Sequence, residues 1–358
     1  MIKRAKIAKS EQIAEVLRNE LSAADIYHGM PAVSAKELAR QHGVSVPTAH
    51  NALNILVREG LLYRVQGSGT FFNCPDRGTK KLIGIADQAV CPEWLTQELI
   101  RILNFHIVYA SEYLKASGCE IRMISYDELL DGKVLHGLDG LLVSCMFLDV
   151  KTIELIMNSG VPAVGYRFNH PNNFPISYLS YDLNTGMSEA LDTLNLTSES
   201  RINLISENIP YGVHARKCWM KHLKERNIRE SQILCSEIDT KDLEVSCYRL
   251  IRVYPERYKN SIILVSDDEI AKNLINAMTL EGFESGKDYC LIGIGNRTAY
   301  GMESAGELEI SSIDLPIKLM AEESAKILLY KISNPSECHC SVMIPTHFVK
   351  RKSSGMTE

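Results

Sequence analysis

The chain has 358 residues, of which 45% are hydrophobic, and this length is enough for one small and one large domain. Its net charge of −5 would by itself argue against nucleic-acid binding, but residues 1–81 contain 12 Lys and Arg against 7 Asp and Glu, whereas the rest contains 27 against 37. No apolar run long enough to span a membrane and no signal peptide is evident in the sequence, so we expect a cytoplasmic protein.

Residues 34–72 have the pattern of a helix, a tight turn, a second helix and a two-stranded hairpin. Ser34 and Glu37 have the spacing of a capping box, and Gly43 supplies the end of the first helix. Ser45 can cap the second helix, and Pro47 is tolerated in its first turn. Small and apolar residues then recur on one face of that helix: Ala49, Ala52, Leu53, Leu56 and Val57. With its glycine-containing hairpin tip, the unit predicts a winged helix-turn-helix, an α+β fold that binds DNA.

We expect the second helix to enter the major groove, because only that groove distinguishes all four base pairs. Asn51 has the donor and acceptor to bind adenine, and Val46 or Thr48 can contact a thymine methyl group, whereas Lys36 and Arg64 suit phosphates. The predicted DNA-binding residues are Lys36, Ser45, Val46, Pro47, Thr48, His50, Asn51, Arg64, Gly67, Ser68, Gly69 and Thr70. The alternative is that His50 and Asn51 form only a solvated helix face.

This segment resembles the DNA-binding domain of the GntR family over roughly residues 8–73. The matches include Gly43-Val44-Ser45, Glu59-Gly60-Leu61 and the wing residues 67–71. The chain departs from the family where arginine is usual, at Lys36, at Val46 and near His50 and Asn51. The resemblance therefore implies a DNA-binding domain that reads an operator different from the usual one.

Residues 75–81 form a short polar and basic linker between the predicted DNA-binding domain, residues 1–74, and the rest of the chain. The ten cysteines are scattered without a C-x-x-C pair. The cluster Cys338-His339-Cys340 has too few ligands for zinc, so we predict free thiols, no metal site and no cofactor.

Beyond the linker, strands alternate with helices, which indicates an α/β domain with parallel sheets. The predicted strands are 82–86, 121–125, 140–143, 163–166, 178–181, 201–206, 232–236, 261–265 and 289–294. The predicted helices lie near 94–117, 149–158, 184–195, 212–226, 240–254, 268–282 and 318–332.

This order of elements resembles the effector-binding domain of the LacI family, itself similar to periplasmic sugar-binding proteins, over roughly residues 81–352. The matches include Leu82-Ile83-Gly84-Ile85, Leu138-Asp139-Gly140-Leu141 and Val161-Pro162-Ala163-Val164. The combination of a GntR-type domain with a LacI-type effector domain resembles the AraR-like transcriptional regulators. The resemblance implies a two-lobed domain over 82–352, with three chain crossings and the ligand between the lobes. Lobe 1 is expected at about 82–181 and 314–333, and lobe 2 at about 182–313 and 340–352.

Family positions, together with the rule that ligands meet the carboxyl ends of parallel strands, indicate the ligand contacts. The candidates are Trp94, Arg167, Asp182, Arg216, Asp267 and Asn296. Arg216 is one residue out of register with an arginine of the relatives, a rotation of about 100° on a helix. The alternatives are that the two aspartates cap helices and that Arg167 pairs with a surface carboxylate.

The motifs of common enzymes are not found in the sequence. Gly293-Ile294-Gly295 follows a strand but lacks the third glycine of a dinucleotide fingerprint, and neither a P-loop nor a Gly-x-Ser-x-Gly elbow occurs. We therefore expect no enzyme, but a bacterial transcriptional regulator, a repressor controlled by a small molecule, namely a sugar or sugar derivative. We expect it to bind a near-palindromic double-stranded DNA operator as a homodimer. The alternative is a ligand-binding module whose winged domain serves protein association.

Overall fold

The computed structural model describes residues 9–23, 31–65, 69–72, 80–87, 97–168, 175–301, 309–334 and 338–355. Its N-terminal domain contains three helices and an antiparallel hairpin. These elements are α1 (Lys9–Ala23), α2 (Ala35–His42), α3 (Val46–Arg58), β1 (Leu62–Val65) and β2 (Gly69–Phe72). The buried core draws on every one of them except β2: Ile13, Ala14, Leu17, Leu38, Ala39, Ala49, Ala52, Leu53, Leu56 and Leu62.

The predicted helix caps are present in this domain. Ser34 accepts a hydrogen bond from the Glu37 amide at 3.2 Å, and Gly43 ends α2 with a left-handed φ of 61°. Ser45 likewise accepts a hydrogen bond from the Thr48 amide at 3.3 Å at the start of α3. The winged helix-turn-helix prediction is thereby confirmed.

The remaining chain alternates strands and helices. The strands are β3 (Leu82–Ala86), β4 (Glu120–Ile124), β5 (Gly140–Ser144), β6 (Ala163–Phe168), β7 (Ser177–Asp182), β8 (Ile202–Glu207), β9 (Ile233–Ile238), β10 (Ile262–Val265), β11 (Cys290–Gly295), β12 (Ser311–Asp314), β13 (Ser341–Pro345) and β14 (His347–Val349). The helices are α4 (Gln97–Ala116), α5 (Tyr126–Asp131), α6 (Val150–Ser159), α7 (Leu183–Asp192), α8 (Pro210–Glu225), α9 (Leu243–Val253), α10 (Asp268–Leu280) and α11 (Ile317–Ser333). The predicted α/β fold is confirmed, and the short helix α5 was not predicted.

These strands form two six-stranded sheets. The first has the order β13-β7-β6-β5-β3-β4 and is parallel throughout. The second has the order β14-β12-β11-β10-β8-β9 and is parallel except for β14. Strands such as β5, β8 and β10 are buried along their whole length, as expected for parallel sheets covered on both faces.

The chain passes between the sheets three times: after β7, after β12 and after β13. Only Thr346 separates the end of β13 from the start of β14, and His347 at that start pairs with Asp314 at the carboxyl end of β12. The carboxyl ends of the two sheets therefore lie on the side where the lobes meet. The last passage corrects one prediction, because residues 340–352 do not all belong to lobe 2. Ser341–Pro345 pairs with β7 of the first sheet, and His347–Val349 pairs with β12 of the second. The strand divides at Thr346, a buried residue between the two pairings.

Among the described residues, no helix is long and apolar enough to span a membrane.

Candidate nucleic-acid interface and ligand site

Helix α3 presents a buried apolar face and an exposed face of mixed chemistry. Val46 is 48% exposed although it is apolar, and Pro47, His50 and Asn51 are also exposed. The Thr48 hydroxyl lies 2.8 Å from the Ser45 hydroxyl and so takes part in the helix cap. The exposed face is therefore available for contact with a partner.

The other predicted DNA contacts lie on α2 and in the hairpin. Lys36 is exposed in the first turn of α2, and Arg64 is exposed on β1. At the start of β2, Gly69 has a φ of 121° and the Thr70 carbonyl accepts a hydrogen bond from the Ala32 amide at 2.8 Å. Gly67 and Ser68 lie outside the described residues. Contact of any of these side chains with DNA stays a prediction.

At the carboxyl edge of the first sheet, polar side chains form what we call the lobe 1 cluster: Asp87, His106, Ser144, Tyr166 and Arg167. Asp87 follows β3, is 1% exposed, and accepts a hydrogen bond from the Tyr166 hydroxyl at 2.7 Å. It also forms an ion pair with Arg167, whose side chain is 11% exposed. The predicted residue Arg167 therefore lies at the expected edge, with a buried carboxylate rather than a surface one as its partner.

Among the described residues, several polar atoms of the lobe 1 cluster have no hydrogen-bond partner. They are Oδ1 of Asp87, both ring nitrogens of His106, and Nε and Nη1 of Arg167. His106 comes from α4, is fully buried, and stacks on the Tyr166 ring at 3.8 Å between centroids. Burial lowers the pKa of His106 well below its usual value, and the nearby Arg167 lowers it further. Buried polar atoms without partners are costly, so their concentration at one sheet edge indicates a polar ligand.

The carboxyl edge of the second sheet carries the lobe 2 cluster: Glu207, Asp267, Asp268, Glu269 and Arg297. Arg297 is 3% exposed and forms ion pairs with Asp267 and, at 3.1 Å, with Glu269. Asp268 is fully buried and accepts hydrogen bonds from the Ser312 hydroxyl at 2.7 Å and the Arg297 amide at 2.9 Å. Burial raises the pKa of Asp267 to about 7, although Arg297 opposes the shift.

Asp182 and Asp267, both predicted ligand contacts, cap helices, which is the alternative role given for them in the sequence analysis. Asp182 accepts hydrogen bonds from the Asn184 amide at 3.1 Å and the Thr185 hydroxyl at 3.0 Å and so caps α7. Asp267 caps α10 by accepting a hydrogen bond from the Glu269 amide at 2.8 Å. Neither cap uses every lone pair of its carboxylate, and ligand contact by these residues stays a prediction.

The remaining predicted residues contribute less to the two clusters. Asn296 donates a hydrogen bond to Asp314 at 2.7 Å and accepts one from Arg351, so its amide is already engaged. Arg216 pairs with Glu237 on the edge strand β9 at 2.9 Å rather than with the lobe 2 cluster. Trp94 lies outside the described residues.

Of the ten residues in the two clusters, sequence reasoning named only Arg167 and Asp267. It missed the other eight: Asp87, His106, Ser144, Tyr166, Glu207, Asp268, Glu269 and Arg297. Asp87 and Glu207 stand at the carboxyl ends of predicted strands, so the rule that led to Asp267 also applies to them. His106 lies inside a helix, and its contact with the sheet depends on packing that no local pattern reveals.

The two parts of the chain match two family models. Residues 9–72 match the model described as bacterial regulatory proteins, gntR family, and residues 199–354 match that of a periplasmic binding protein-like domain. The first domain is thus of the GntR type, and the second has the two-lobed fold of periplasmic binding proteins.

Similar proteins match most of the chain or one part of it. An arabinose metabolism transcriptional repressor from Halalkalibacterium halodurans is 23% identical over 315 residues, covering 83% of this chain and 82% of the relative. The HTH-type transcriptional repressor NagR from Bacillus subtilis is 44% identical over 64 residues, covering 18% of this chain and 26% of that protein. The crystal structure of a LacI family transcriptional regulator from Enterococcus faecium with bound ribose superposes with a TM-score of 0.62 at 19% identity. The superposition covers 78% of this chain and all of that one. The structural likeness shows the fold alone.

Proposed function

We propose that this chain, which joins a GntR-type winged helix-turn-helix domain to a LacI-type two-lobed domain, is a cytoplasmic transcriptional repressor without enzymatic activity. A small molecule bound between the lobes controls its affinity for operator DNA. The observation that carries the proposal is that one chain combines two features. Helix α3 has an exposed face, and a sheet edge of the two-lobed domain has buried polar atoms with no hydrogen-bond partner among the described residues. Relatives with this architecture are named as repressors.

The DNA-binding part of the proposal rests on shape and charge. Helix α3 has a capped start and an exposed face, and residues 1–81 carry 12 Lys and Arg against 7 Asp and Glu. Phosphate contacts require such an excess of cations. A homodimer would place two of these domains on the half-sites of a near-palindromic operator.

The effector is a sugar or sugar derivative. The lobe 1 cluster offers unused donors and acceptors side by side, which suits the hydroxyl groups of a sugar. Two relatives named for arabinose metabolism are similar to this chain over more than four fifths of its length.

Lobe movement would transmit the effector signal. Phe105 of α4 contacts Tyr300 of the second lobe, with ring centroids 5.4 Å apart, and the next residue, His106, belongs to the lobe 1 cluster. A ligand that favours one lobe arrangement shifts the population toward it, by no more than its difference in affinity for the two states.

Electrophoretic mobility shift with the full chain tests both parts. We expect it to bind a fragment of its own genome at low nanomolar to micromolar concentration, with affinity falling as salt rises. Titration of arabinose, ribose and other sugars should release the fragment for at least one of them. If no genomic fragment is bound in a salt-sensitive manner, the proposed DNA-binding function is refuted. If DNA affinity does not change with any small molecule tested, the proposed control by a small molecule is refuted.

The exposed Val46 leaves a second candidate function. An apolar side chain on the recognition helix is also compatible with a winged domain that mediates protein association. Selection of bound fragments from random DNA separates the two, because enrichment of an inverted repeat excludes pure association.

A further inference from the structure

Helix α3, the predicted recognition helix, has an unusual set of side chains for contact with DNA bases. Residues 41–57, which include the turn and nearly all of α3, contain no lysine or arginine. Bidentate contact of arginine or lysine with guanine is the commonest specific contact in the major groove. The first turns of α3 contain no side chain that can make this contact with guanine.

The cations nearest in sequence do not replace the missing ones. Arg40 of α2 is held by Glu37 through hydrogen bonds of 2.6 and 3.0 Å. Arg58 ends α3, about 18 Å along the axis from Val46 at 1.5 Å per residue. Lys36 lies in the first turn of α2 and Arg64 on the hairpin. Neither side chain belongs to the first turns of α3, and we assign both to phosphates beside the groove.

The exposed groups that α3 does present suit A·T pairs. Val46 is 48% exposed, and an apolar side chain at a groove contacts the 5-methyl group of thymine. The exposed amide of Asn51 makes no hydrogen bond within the described residues, and a carboxamide binds the N6 and N7 positions of adenine in a bidentate manner. Ser45 and Thr48 are occupied by the cap, and His50 Nδ1 lies 3.2 Å from the Asn54 amide nitrogen.

We infer that the first two turns of α3 read A·T base pairs, with Val46 against a thymine methyl and Asn51 on an adenine, while the cations of the domain bind phosphates. This inference rests on the proposed DNA-binding function and specifies the class of operator sequence. It also explains why an apolar residue is exposed at the start of a helix whose other face is a well-packed core.

Selection from random DNA with the full-length protein is the first test. We expect half-sites with A·T pairs at the positions beneath α3. Replacing a thymine of the selected site by deoxyuridine removes only the 5-methyl group. At one position per half-site, this replacement should weaken binding about four-fold, which corresponds to the burial of one methylene-sized group. Replacing the adenine by 7-deazaadenine should weaken binding at the position read by Asn51.

Matched variants assign each effect to one side chain. Val46→Ala, which shortens the apolar side chain, should reduce the sensitivity to deoxyuridine, and Asn51→Ala should abolish the sensitivity to 7-deazaadenine. Val65→Ala, a change at an exposed valine of the hairpin, should keep both. Val46→Arg should shift the selected base toward guanine. Each of these side chains is exposed, and circular dichroism checks that the variants fold.

The possible outcomes separate this inference from the proposed function. Enrichment of an inverted repeat with G·C pairs beneath α3, or an A·T-rich site insensitive to both base analogues, would overturn the inference and leave a DNA-binding regulator. Failure to enrich any sequence would remove the proposed function itself.

Discussion

Arg167 is the residue that does most to organise the lobe 1 cluster. Its φ of 63° lies in the left-handed region, which costs an L-residue roughly 1–2 kcal/mol. The Cys145 thiol donates a hydrogen bond to its carbonyl at 2.9 Å, and its guanidinium pairs with Asp87. Strained backbone that is held by several contacts is typical of binding sites, which agrees with a ligand-binding role.

We expect Arg167→Met to abolish the response to sugar and to lower the free energy of unfolding by about 3–5 kcal/mol, because it leaves Asp87 as a buried unpaired charge. Urea unfolding and calorimetric titration measure the two effects. Arg216→Met is the control for stability, since its pair with the half-exposed Glu237 should contribute at most about 1 kcal/mol.

The double variant Asp87→Asn with Arg167→Met separates stability from binding. With both charges removed, most of the lost stability should return, whereas sugar binding should not. A normal sugar response in this variant would show that the pair has no part in ligand recognition.

His106 should make stability depend on pH in a defined direction. Because burial holds its pKa in the folded protein well below the usual value, the unfolded chain binds one more proton as the pH falls below about 6.5. We expect the free energy of unfolding to fall, relative to His106→Phe, by about 1.4 kcal/mol for each pH unit in this range. Phenylalanine preserves stacking on Tyr166, and parallel pH profiles for the two proteins would contradict the prediction.

Among the elements, two of the crossing segments are joined by the hydroxyl group of one residue. Thr346 is fully buried between β13 and β14; its hydroxyl donates to the Asp182 carbonyl at 2.6 Å and accepts from the Gly186 amide at 3.2 Å. It thereby ties the last crossing to the first.

Thr346→Val keeps the shape of this side chain but removes both hydrogen bonds. We expect a loss of about 1–2 kcal/mol in the free energy of unfolding. Thr346→Ser retains the hydroxyl and serves as the control for the hydrogen bonds. Equal stability of the valine variant and the wild type in urea unfolding would show that the crossings are held by packing alone.

Local signals in the sequence were enough to predict the helices and strands, but not all of the strand pairings and side-chain contacts between them. The caps at Ser34 and Ser45 and the strand Leu82–Ala86 depend on neighbouring residues, and all were predicted. The division of the last strand at Thr346 depends on which sheet offers a free edge, a non-local property. The lobe 1 cluster was predicted only through Arg167, because His106 reaches it by tertiary packing.

At the scale of the whole molecule, charge is divided between the two functions. The 12 Lys and Arg of residues 1–81 exceed the 7 Asp and Glu, whereas beyond them the acidic residues number 37 against 27 basic ones. An acidic sensor domain repels DNA, so it favours contact through the winged domain. The same acidity is found in the two clusters.

The two clusters together contain five carboxyl groups and two guanidinium groups, and both guanidinium groups are already paired with carboxylates. The segments 88–96, 169–174 and 302–308, which lie outside the described residues, contain no lysine or arginine. A phosphate ester, which carries about −1.5 to −2 at neutral pH, would therefore meet carboxylates without a free counter-charge.

We accordingly expect an uncharged sugar to bind at least about 100-fold more tightly than its phosphate ester, a difference of about 2.7 kcal/mol. Calorimetric titration of matched pairs, such as ribose with ribose 5-phosphate and glucose with glucose 6-phosphate, measures this difference. The uncharged methyl ether at the same hydroxyl group separates charge from bulk, because a steric effect would weaken the ether as much as the ester. Tighter binding of any phosphate ester than of its parent sugar would mean that a cation outside the two clusters reaches the ligand.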